Sequence, residues 1–195
     1  MMESEDPEQV DYRREALAGL TGTVFELGAG TGANFSHYPA TVTRLVAAEP
    51  EPYLRERAQE AGAGVPIEVE VVDAVADQLP FEDGSFDAAV ACLVLCSVPD
   101  QARALAELRR VVRPGGELRF YEHVHPHHQP LKAVFSFMDR TTVWPRISGG
   151  CHLTRETLHA IEQAGFAVER SRRLAFSPSP VMPAIPHVLG AARRP

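Results

Sequence analysis

The feature of this sequence that most constrains its fold is the alternation of short apolar runs with amphipathic stretches. Runs rich in β-branched residues predict strands, and a 3.6-residue apolar period predicts helices. The predicted strands are Thr23–Leu27, Thr43–Ala48, Ile67–Val72, Phe86–Cys92, Glu117–Val124, Ala167–Ala175 and about His187–Ala192. The predicted helices are Val10–Leu20, Tyr53–Ala61, Gln101–Val112, Pro130–Thr141 and Arg155–Ala164. Because parallel strands need a crossover that is usually helical, this order predicts an α/β fold with a doubly wound sheet.

Length and composition predict one globular domain spanning residues 1–195. The net charge of -7 disfavours a nucleic-acid partner, because phosphate binding needs clustered Lys and Arg. The chain starts with acidic and polar residues and has no apolar run near the ~20 residues that cross a bilayer, so neither a signal peptide nor a membrane span is predicted. Its three cysteines have no paired spacing, which favours a reducing, cytoplasmic environment.

A glycine-rich turn, Glu26-Leu27-Gly28-Ala29-Gly30-Thr31-Gly32, follows the first predicted strand. Glycines in such a turn let the backbone approach a ligand that any Cβ would keep away, so a nucleotide-like ligand is predicted. The motif alone is ambiguous, because Gly28, Gly30 and Ala33 also satisfy the G-x-G-x-x-A pattern of dinucleotide-binding proteins. An NAD-dependent oxidoreductase and a cofactor-binding protein without activity therefore stay open as alternatives.

Two acidic residues end the next two predicted strands. Glu49 lies roughly 20 residues past the glycines, where a carboxylate can hydrogen-bond both ribose hydroxyls of either cofactor class. Asp73 ends the third strand, ahead of Leu79-Pro80-Phe81, and its carboxylate can accept the adenine amino group. The three features at neighbouring strand ends together indicate a cofactor site, and Asp73 is the one that favours S-adenosylmethionine over NAD.

Two sets of motifs run the length of the chain. The first comprises Glu26 to Gly32, Glu49, Asp73-Ala74, Leu79-Pro80-Phe81, Phe86-Asp87 and Arg113-Pro114-Gly115-Gly116. The second comprises Gly30-Thr31-Gly32-Ala33-Asn34-Phe35 with Tyr38-Pro39, Glu49-Pro50-Glu51-Pro52, Cys92-Leu93-Val94-Leu95-Cys96-Ser97-Val98, Glu122-His123-Val124, Gly150-Cys151-His152-Leu153-Thr154-Arg155-Glu156-Thr157 and Pro186-His187-Val188-Leu189-Gly190. The first set resembles the class I S-adenosylmethionine-dependent methyltransferases, and the second is similar to the methyltransferase-like thiol S-methyltransferases.

The resemblance implies a single Rossmann-like methyltransferase domain with a seven-stranded, mostly parallel sheet whose last strand is antiparallel. It also implies an N-terminal helix within residues 1–20 and a substrate-lid insertion at residues 125–153. Membrane-associated members of the family carry an N-terminal hydrophobic anchor that is missing here, so membrane association is not expected. A second departure is that the family's usual Asp after the second strand is here Glu49.

The resemblance implies S-adenosyl-L-methionine as the methyl donor and S-adenosyl-L-homocysteine as the product. The implied cofactor-binding residues are Glu26, Gly28, Gly30, Gly32, Asn34, Glu49, Pro50, Asp73, Ala74, Cys92 and Leu93. The three glycines are expected beside the methionyl part, and Glu49 is expected to hold the ribose. Asp73 and the Ala74 amide are expected to read the adenine. The backbone at Cys92 and Leu93 is expected to touch the methionyl amino group.

His123, at the end of the fifth predicted strand, is the candidate catalytic residue, as a base or as a group that orients the substrate. A histidine that only makes local hydrogen bonds is the alternative. The run of His123, His125, His127 and His128 invites a metal-binding interpretation. Because Pro126 breaks the strand and no cysteine or acid is spaced to complete a tetrahedral site, no metal site is predicted.

The insertion after the fifth strand carries Phe135, Phe137, Met138 and Trp144, which predict an apolar lid over the substrate or plain packing of a helix on the sheet. The hydroxyl of Thr154 is predicted to cap the helix that follows. The predicted function is that of an enzyme, an S-adenosylmethionine-dependent methyltransferase of a small molecule. An alkyl thiol is the first candidate acceptor, and an oxygen or nitrogen acceptor of specialised metabolism is the next.

Overall fold

The computed structural model describes residues 6–126, 131–141, 144, 146, 149–177 and 184–195. The strands of this part of the chain are β1 (Gly22–Leu27), β2 (Val42–Ala48), β3 (Glu68–Val72), β4 (Phe86–Cys92), β5 (Val112–His123), β6 (Ala167–Phe176) and β7 (Ile185–Arg193). Its helices include α1 (Pro7–Leu17), α2 (Pro52–Gly62), α3 (Gln101–Val111), α4 (Leu131–Arg140) and α5 (Thr157–Gln163), and a 3₁₀ helix lies at Phe35–His37.

The strands among the described residues form one seven-stranded sheet in the order β3-β2-β1-β4-β5-β7-β6. Strands β1 to β5 are parallel, whereas β7 pairs antiparallel with both β5 and β6. The predicted doubly wound α/β fold is therefore confirmed. The strand order reverses between β1 and β4, because the chain moves outward through β2 and β3 before it returns to the other side of β1. Ligands of such sheets bind beyond the carboxyl ends of the strands at this switch point.

Acidic side chains cap the helices that follow the strands. The carboxylate of Glu51 accepts a hydrogen bond from the Leu54 amide at 2.7 Å at the start of α2. The carboxylate of Asp100 does the same for the Arg103 amide at 3.0 Å at the start of α3. These bonds satisfy amides that have no partner within the helix, so each helix begins at a defined residue.

Thr154 does not cap α5, contrary to the prediction. The helix begins at Thr157, and its N-cap residue, Glu156, makes no side-chain capping bond. The Thr154 hydroxyl instead donates to Oδ2 of Asp139 at 2.5 Å, and the Leu153 and Thr154 amides donate to the same carboxylate at 3.2 and 3.0 Å. A carboxylate is a stronger acceptor than a neutral group, so these donors turn toward α4. Asp139 thus ties α4 to the segment that precedes α5.

Apolar side chains cover both faces of the sheet, because successive residues of a strand point to opposite faces. One face packs against α3 and α5 through Phe25, Val46, Leu105, Leu108 and Ile161. The other face packs against α1 and α2 through Leu17, Val24, Leu45 and Ala58. Among the described residues a third, smaller group, here called the α4 cluster, comprises Cys96, Phe135, Cys151, Leu153 and Ile185. No helix within the described residues is both long and apolar enough to cross a bilayer.

Candidate active site

The glycine turn after β1 brings its three glycines to positive φ angles of 69° at Gly28, 56° at Gly30 and 82° at Gly32. A Cβ on Gly28 would lie 2.4 Å from Cγ2 of Val94, and a Cβ on Gly32 would lie 2.8 Å from the Phe35 ring. A Cβ on Gly30 would meet nothing within 4 Å. Gly28 and Gly32 are therefore required by packing inside the protein, and Gly30 is the glycine of this turn that faces open space.

Glu49 and Asp73 lie at neighbouring strand ends, as the sequence predicts. Oε2 of Glu49 accepts from the Gly30 amide at 2.8 Å, and Oε1 accepts from the Glu51 amide at 3.0 Å. The Asp73 side chain is 67% exposed and pairs with Nη2 of Arg55 at 3.2 Å. Arg55 also donates from Nη1 to the backbone oxygen of Glu49 at 2.9 Å, so it links the ends of β2 and β3. No local sequence pattern predicts this role for Arg55, because the role depends on where α2 lies.

Glu26 and Asn34, both expected to bind the cofactor, have their polar atoms engaged within the protein. Nδ2 of Asn34 donates to Oε1 of Glu26 at 2.8 Å, and the Tyr38 hydroxyl donates to Oε2 at 2.7 Å. Arg13 of α1 donates to Oδ1 of Asn34 at 2.9 Å. Burial raises the pKa of Glu26 to about 7, against the opposing effect of these donors. The network joins the glycine turn to α1 and to the 3₁₀ helix.

The loop after β4 is held in an unusual backbone conformation. Leu93 has a φ of 57°, which a branched side chain adopts only when the surroundings enforce it. Its amide donates to the backbone oxygen of Tyr121 at 2.7 Å. Residues kept in such conformations cluster at ligand sites. This loop, at the switch point between β1 and β4, is therefore a candidate for contact with a ligand.

The Glu122 carboxylate holds the same loop in place. It is fully buried and accepts from the amides of Val94 at 2.9 Å, Leu95 at 2.8 Å and Cys96 at 3.1 Å. Burial raises the pKa of Glu122, and the three amide donors oppose that effect. This role of Glu122 was not predicted from the sequence. An acid inside a predicted buried strand is the signal that could have identified it, because an unpaired buried carboxylate is costly.

His123 lies at the end of β5, where the sequence predicts it, and two thiols surround its Nδ1 atom. The Sγ atom of Cys96 lies 3.4 Å away and that of Cys151 lies 3.3 Å away. Both cysteines are buried, and the ring of His187 lies 4.4 Å from that of His123, centroid to centroid. This cluster was not predicted from the sequence, because His123 is 27 and 28 residues away from the two cysteines along the chain. Two further histidines of the predicted run, 127 and 128, lie outside the described residues.

The residues predicted to form a lid divide between packing and exposure. Phe135 is buried in the α4 cluster, and Met138 and Trp144 pack against it while partly buried. Phe137 is 67% exposed on the opposite side of α4. Phe135, Met138 and Trp144 therefore form an apolar wall next to the two cysteines and His123, at the carboxyl ends of β4 and β5.

The open space at Gly30, the carboxylate of Glu49, the exposed carboxylate of Asp73 and the strained loop at Leu93 lie along the ends of four adjacent strands. An elongated ligand with a sugar, a purine and a charged amino-acid part matches this arrangement of polar groups. The residues present thus fit S-adenosylmethionine.

Comparison with known proteins assigns the chain to a family. A methyltransferase domain family, Methyltransf_11, matches residues 25–120. The Thiol S-methyltransferase TMT1B of Homo sapiens is 37% identical over 185 residues, which cover 91% of this chain and 74% of the human protein. The chain belongs to the class I S-adenosylmethionine-dependent methyltransferases. The Thiol S-methyltransferase TMT1A of Homo sapiens is 35% identical to this methyltransferase over 158 residues, which cover 78% of this chain and 64% of that protein.

Solved structures confirm the fold of this methyltransferase. A SAM-dependent methyltransferase from Methanosarcina mazei superposes with a TM-score of 0.71 at 19% identity, covering 97% of each chain. A geranyl diphosphate methyltransferase in complex with SAM superposes with a TM-score of 0.67 at 16% identity, covering 96% of this chain and 85% of the other. The matches do not favour an NAD-dependent oxidoreductase or a binding protein without activity, the alternatives that the glycine turn alone leaves open.

Proposed function

We propose that this methyltransferase transfers the methyl group of S-adenosylmethionine to the sulfur of a small, apolar thiol. The observation that carries the proposal is the similarity to two human thiol S-methyltransferases, at 37% and 35% identity over 91% and 78% of the chain. The apolar wall of the α4 cluster beside the ends of β4 and β5 supports an apolar, small-molecule acceptor.

The cofactor would be held by groups from four strand ends. The backbone at Gly30 would line the methionyl part, Glu49 and the neighbouring Pro50 would contact the ribose, and Asp73 with the Ala74 amide would read the adenine. Each oxygen of Glu49 accepts one amide now and keeps a further lone pair for a ribose hydroxyl.

The backbone at Cys92 and Leu93 would meet the methionyl amino group. The Leu93 amide already donates to Tyr121, so the contact would come from carbonyl oxygens, which suit an ammonium donor. Gly28, Gly32, Glu26 and Asn34 would act indirectly, because they shape the turn that presents Gly30.

The cofactor supplies an electrophilic methyl group, and S-adenosylhomocysteine is the product that leaves. The protein aligns the acceptor sulfur with that methyl group, and such alignment can contribute ~7 to 11 kcal/mol. An alkyl thiol with a pKa near ~8.5 is a few per cent thiolate at neutral pH, so it needs little help from a base. His123 is the side chain expected to receive the thiol proton or to orient the acceptor.

The test is a methylation assay with an alkyl thiol, a phenol and an amine as competing acceptors, read by mass spectrometry of the products. The S-methyl product is expected to dominate. Glu49→Gln keeps an acceptor for the Gly30 amide but weakens the ribose contact, so its kcat/KM is expected to fall about tenfold to a hundredfold.

Glu56→Gln is the matched control, because Glu56 is an exposed carboxylate on α2. Its kcat/KM is expected to match that of the unmodified chain. Methylation of the phenol or amine alone would contradict the choice of acceptor. Equal turnover by Glu49→Gln and Glu56→Gln would contradict the ribose assignment.

A further inference from the structure

We propose that Cys96, His123 and Cys151 form a Zn²⁺ site with two thiolate ligands, one imidazole ligand and a fourth position open to the acceptor thiol. The three ligand atoms, Sγ, Nδ1 and Sγ, all lie within 4.8 Å of one another. They come from the loop after β4, the end of β5 and the segment before α5, which meet only in the folded protein. Among the metals that proteins bind, thiolate and imidazole donors in this combination suit Zn²⁺.

The distances match a tetrahedral site. With Zn–S near 2.3 Å and Zn–N near 2.0 to 2.1 Å, tetrahedral angles place a sulfur and a nitrogen ligand about 3.6 Å apart and two sulfurs about 3.8 Å apart. The observed sulfur–nitrogen separations are 3.4 and 3.3 Å. Movements of a few tenths of an ångström at the nitrogen, and less than about 1 Å between the sulfurs, would therefore complete the geometry.

Two thiols share one nitrogen of the His123 imidazole. A neutral imidazole nitrogen that accepts has one lone pair in the ring plane, which can receive one S–H donor. Here two thiol groups converge on the same Nδ1 atom of His123. A metal ion bound between them would engage both sulfur atoms and the nitrogen at once, because the three atoms all lie within 4.8 Å of one another.

The surroundings hold the ligands in place. The amide of His152, next to Cys151, donates to the backbone oxygen of Cys96 at 2.8 Å, so the two cysteine segments are bonded directly. Glu122 fixes the Cys96 amide at 3.1 Å. Such preorganisation is typical of metal sites, in which the groups around the ligands orient them.

A second histidine places an acceptor near the proposed imidazole ligand, and the two rings are in contact without a hydrogen bond between them. If Nδ1 of His123 binds a metal, its Nε2 atom must carry the proton and needs an acceptor. His187 lies beside it, with ring centroids 4.4 Å apart. Nδ1 of His187 lies 2.8 Å from the backbone oxygen of Ile185, to which it must donate, so its Nε2 atom is an acceptor. Within the part of the chain that the structure describes, this Nε2 atom is buried and has no hydrogen-bond partner.

The open fourth position rests on the proposed function, because it specifies where the acceptor thiol would bind. An acceptor thiol that binds there loses its S–H proton to solvent and keeps its sulfur lone pairs. One pair then forms the new carbon–sulfur bond, while the electron pair of the broken bond stays on the sulfur of the departing cofactor product. The zinc ion keeps its charge throughout, and the neutral thioether, a weaker ligand, is released. On this assignment His123 is a ligand and not the base.

The first experiment measures zinc in the 195-residue chain after dialysis against a chelator and readdition of Zn²⁺, without S-adenosylmethionine. One Zn²⁺ per chain is expected, with at least tenfold weaker binding in Cys96→Ser and Cys151→Ser. Cys92→Ser is the matched control, because Cys92 is also buried but lies outside the cluster, and it is expected to retain the metal. Absence of stoichiometric zinc, equal binding by all variants, or a disulfide between Cys96 and Cys151 in the purified protein would overturn the site.

A second readout needs no variant and so does not depend on how the variants fold. Replacement of Zn²⁺ by Co²⁺ is expected to give thiolate-to-cobalt charge-transfer absorption, which rises by about one half when an alkyl thiol binds as a third thiolate. Unchanged absorption would overturn the open position. Neither measurement depends on methyl transfer. A negative metal-binding result therefore does not contradict the proposed function, and a negative methylation result does not contradict the metal site.

Discussion

Glu26 provides a quantitative prediction about stability and pH. Its side chain is 2% exposed, and both oxygens accept hydrogen bonds from Asn34 and Tyr38. Burial disfavours the charged form, so the pKa rises from 4.5 to about 7 in the folded protein. Because the folded state binds this proton more tightly than the unfolded state, the group stabilises the fold fully below pH 4.5. That stabilisation is lost as the pH rises through about 7.

The magnitude follows from the two pKa values. A tenfold change in proton affinity corresponds to about 1.4 kcal/mol, so the contribution of Glu26 to the free energy of unfolding falls by about 2.5 kcal/mol between pH 5 and pH 8. Other carboxylates work in the opposite direction. The pKa of Asp87, for example, is lowered by its hydrogen bond with Arg113. A difference between two variants is therefore needed to isolate Glu26.

The perturbation is Glu26→Gln, which has a similar shape and no proton to exchange. Urea unfolding at pH 5, 6, 7 and 8 gives the free energy of unfolding for each protein. Relative to the unmodified chain, the variant is expected to gain about 2.5 kcal/mol from pH 5 to pH 8. The exposed control Glu56→Gln is expected to show no such trend. A Glu26→Gln difference that stays constant within about 0.5 kcal/mol would refute the reasoning.

Three further predictions follow from the turn, the loop and the lid. Gly28→Ala adds a clash with Val94 to backbone strain and is expected to lower the free energy of unfolding, measured in urea, by about 3 kcal/mol. Gly30→Ala is expected to lower it by about 1 kcal/mol and to weaken S-adenosylhomocysteine binding at least tenfold in calorimetry. Equal effects of the two variants on both measurements would be evidence against the assigned roles. Glu122→Gln is expected to speed hydrogen exchange at the 94–96 amides, and unchanged protection would contradict its role as anchor. Asp139→Ala is expected to loosen α4, seen as faster proteolysis of that segment and a higher KM for the acceptor. Wild-type values for both would contradict the role of Asp139 in holding α4 to the segment before α5.

Local patterns explain how much of the fold could be predicted. Strand β4 has the predicted bounds, because a β-rich run lies between turn residues. Strand β5 begins at Val112 instead of the predicted Glu117, because Val112 already pairs with Phe86 of β4. A register shift follows, in which Gly115 has a φ of 76°, and regular pairing resumes at Glu117. Helix α1 ends three residues earlier than predicted, at Leu17, ahead of Gly19 with its φ of 78°. These differences concern boundaries, where local patterns are least informative.

The candidate site was predictable only where it follows a strand end. Glu49 and Asp73 each end a strand, so their places follow from the order of elements. The cluster at His123 depends on how the segment before α5 packs on the loop after β4, which no local pattern records. The same holds for Arg55, whose role depends on the position of α2. Contacts between distant segments are what the sequence alone leaves undetermined.

The central claim is that the carboxyl ends of β1 to β4 bind S-adenosylmethionine through the Glu49 carboxylate. Titration calorimetry of the purified chain with S-adenosylhomocysteine tests it most directly. One molecule is expected to bind per chain, with at least tenfold lower affinity for Glu49→Ala than for the unmodified chain. A chain that binds NAD but not S-adenosylhomocysteine, or a Glu49→Ala variant with unchanged affinity, would contradict the account.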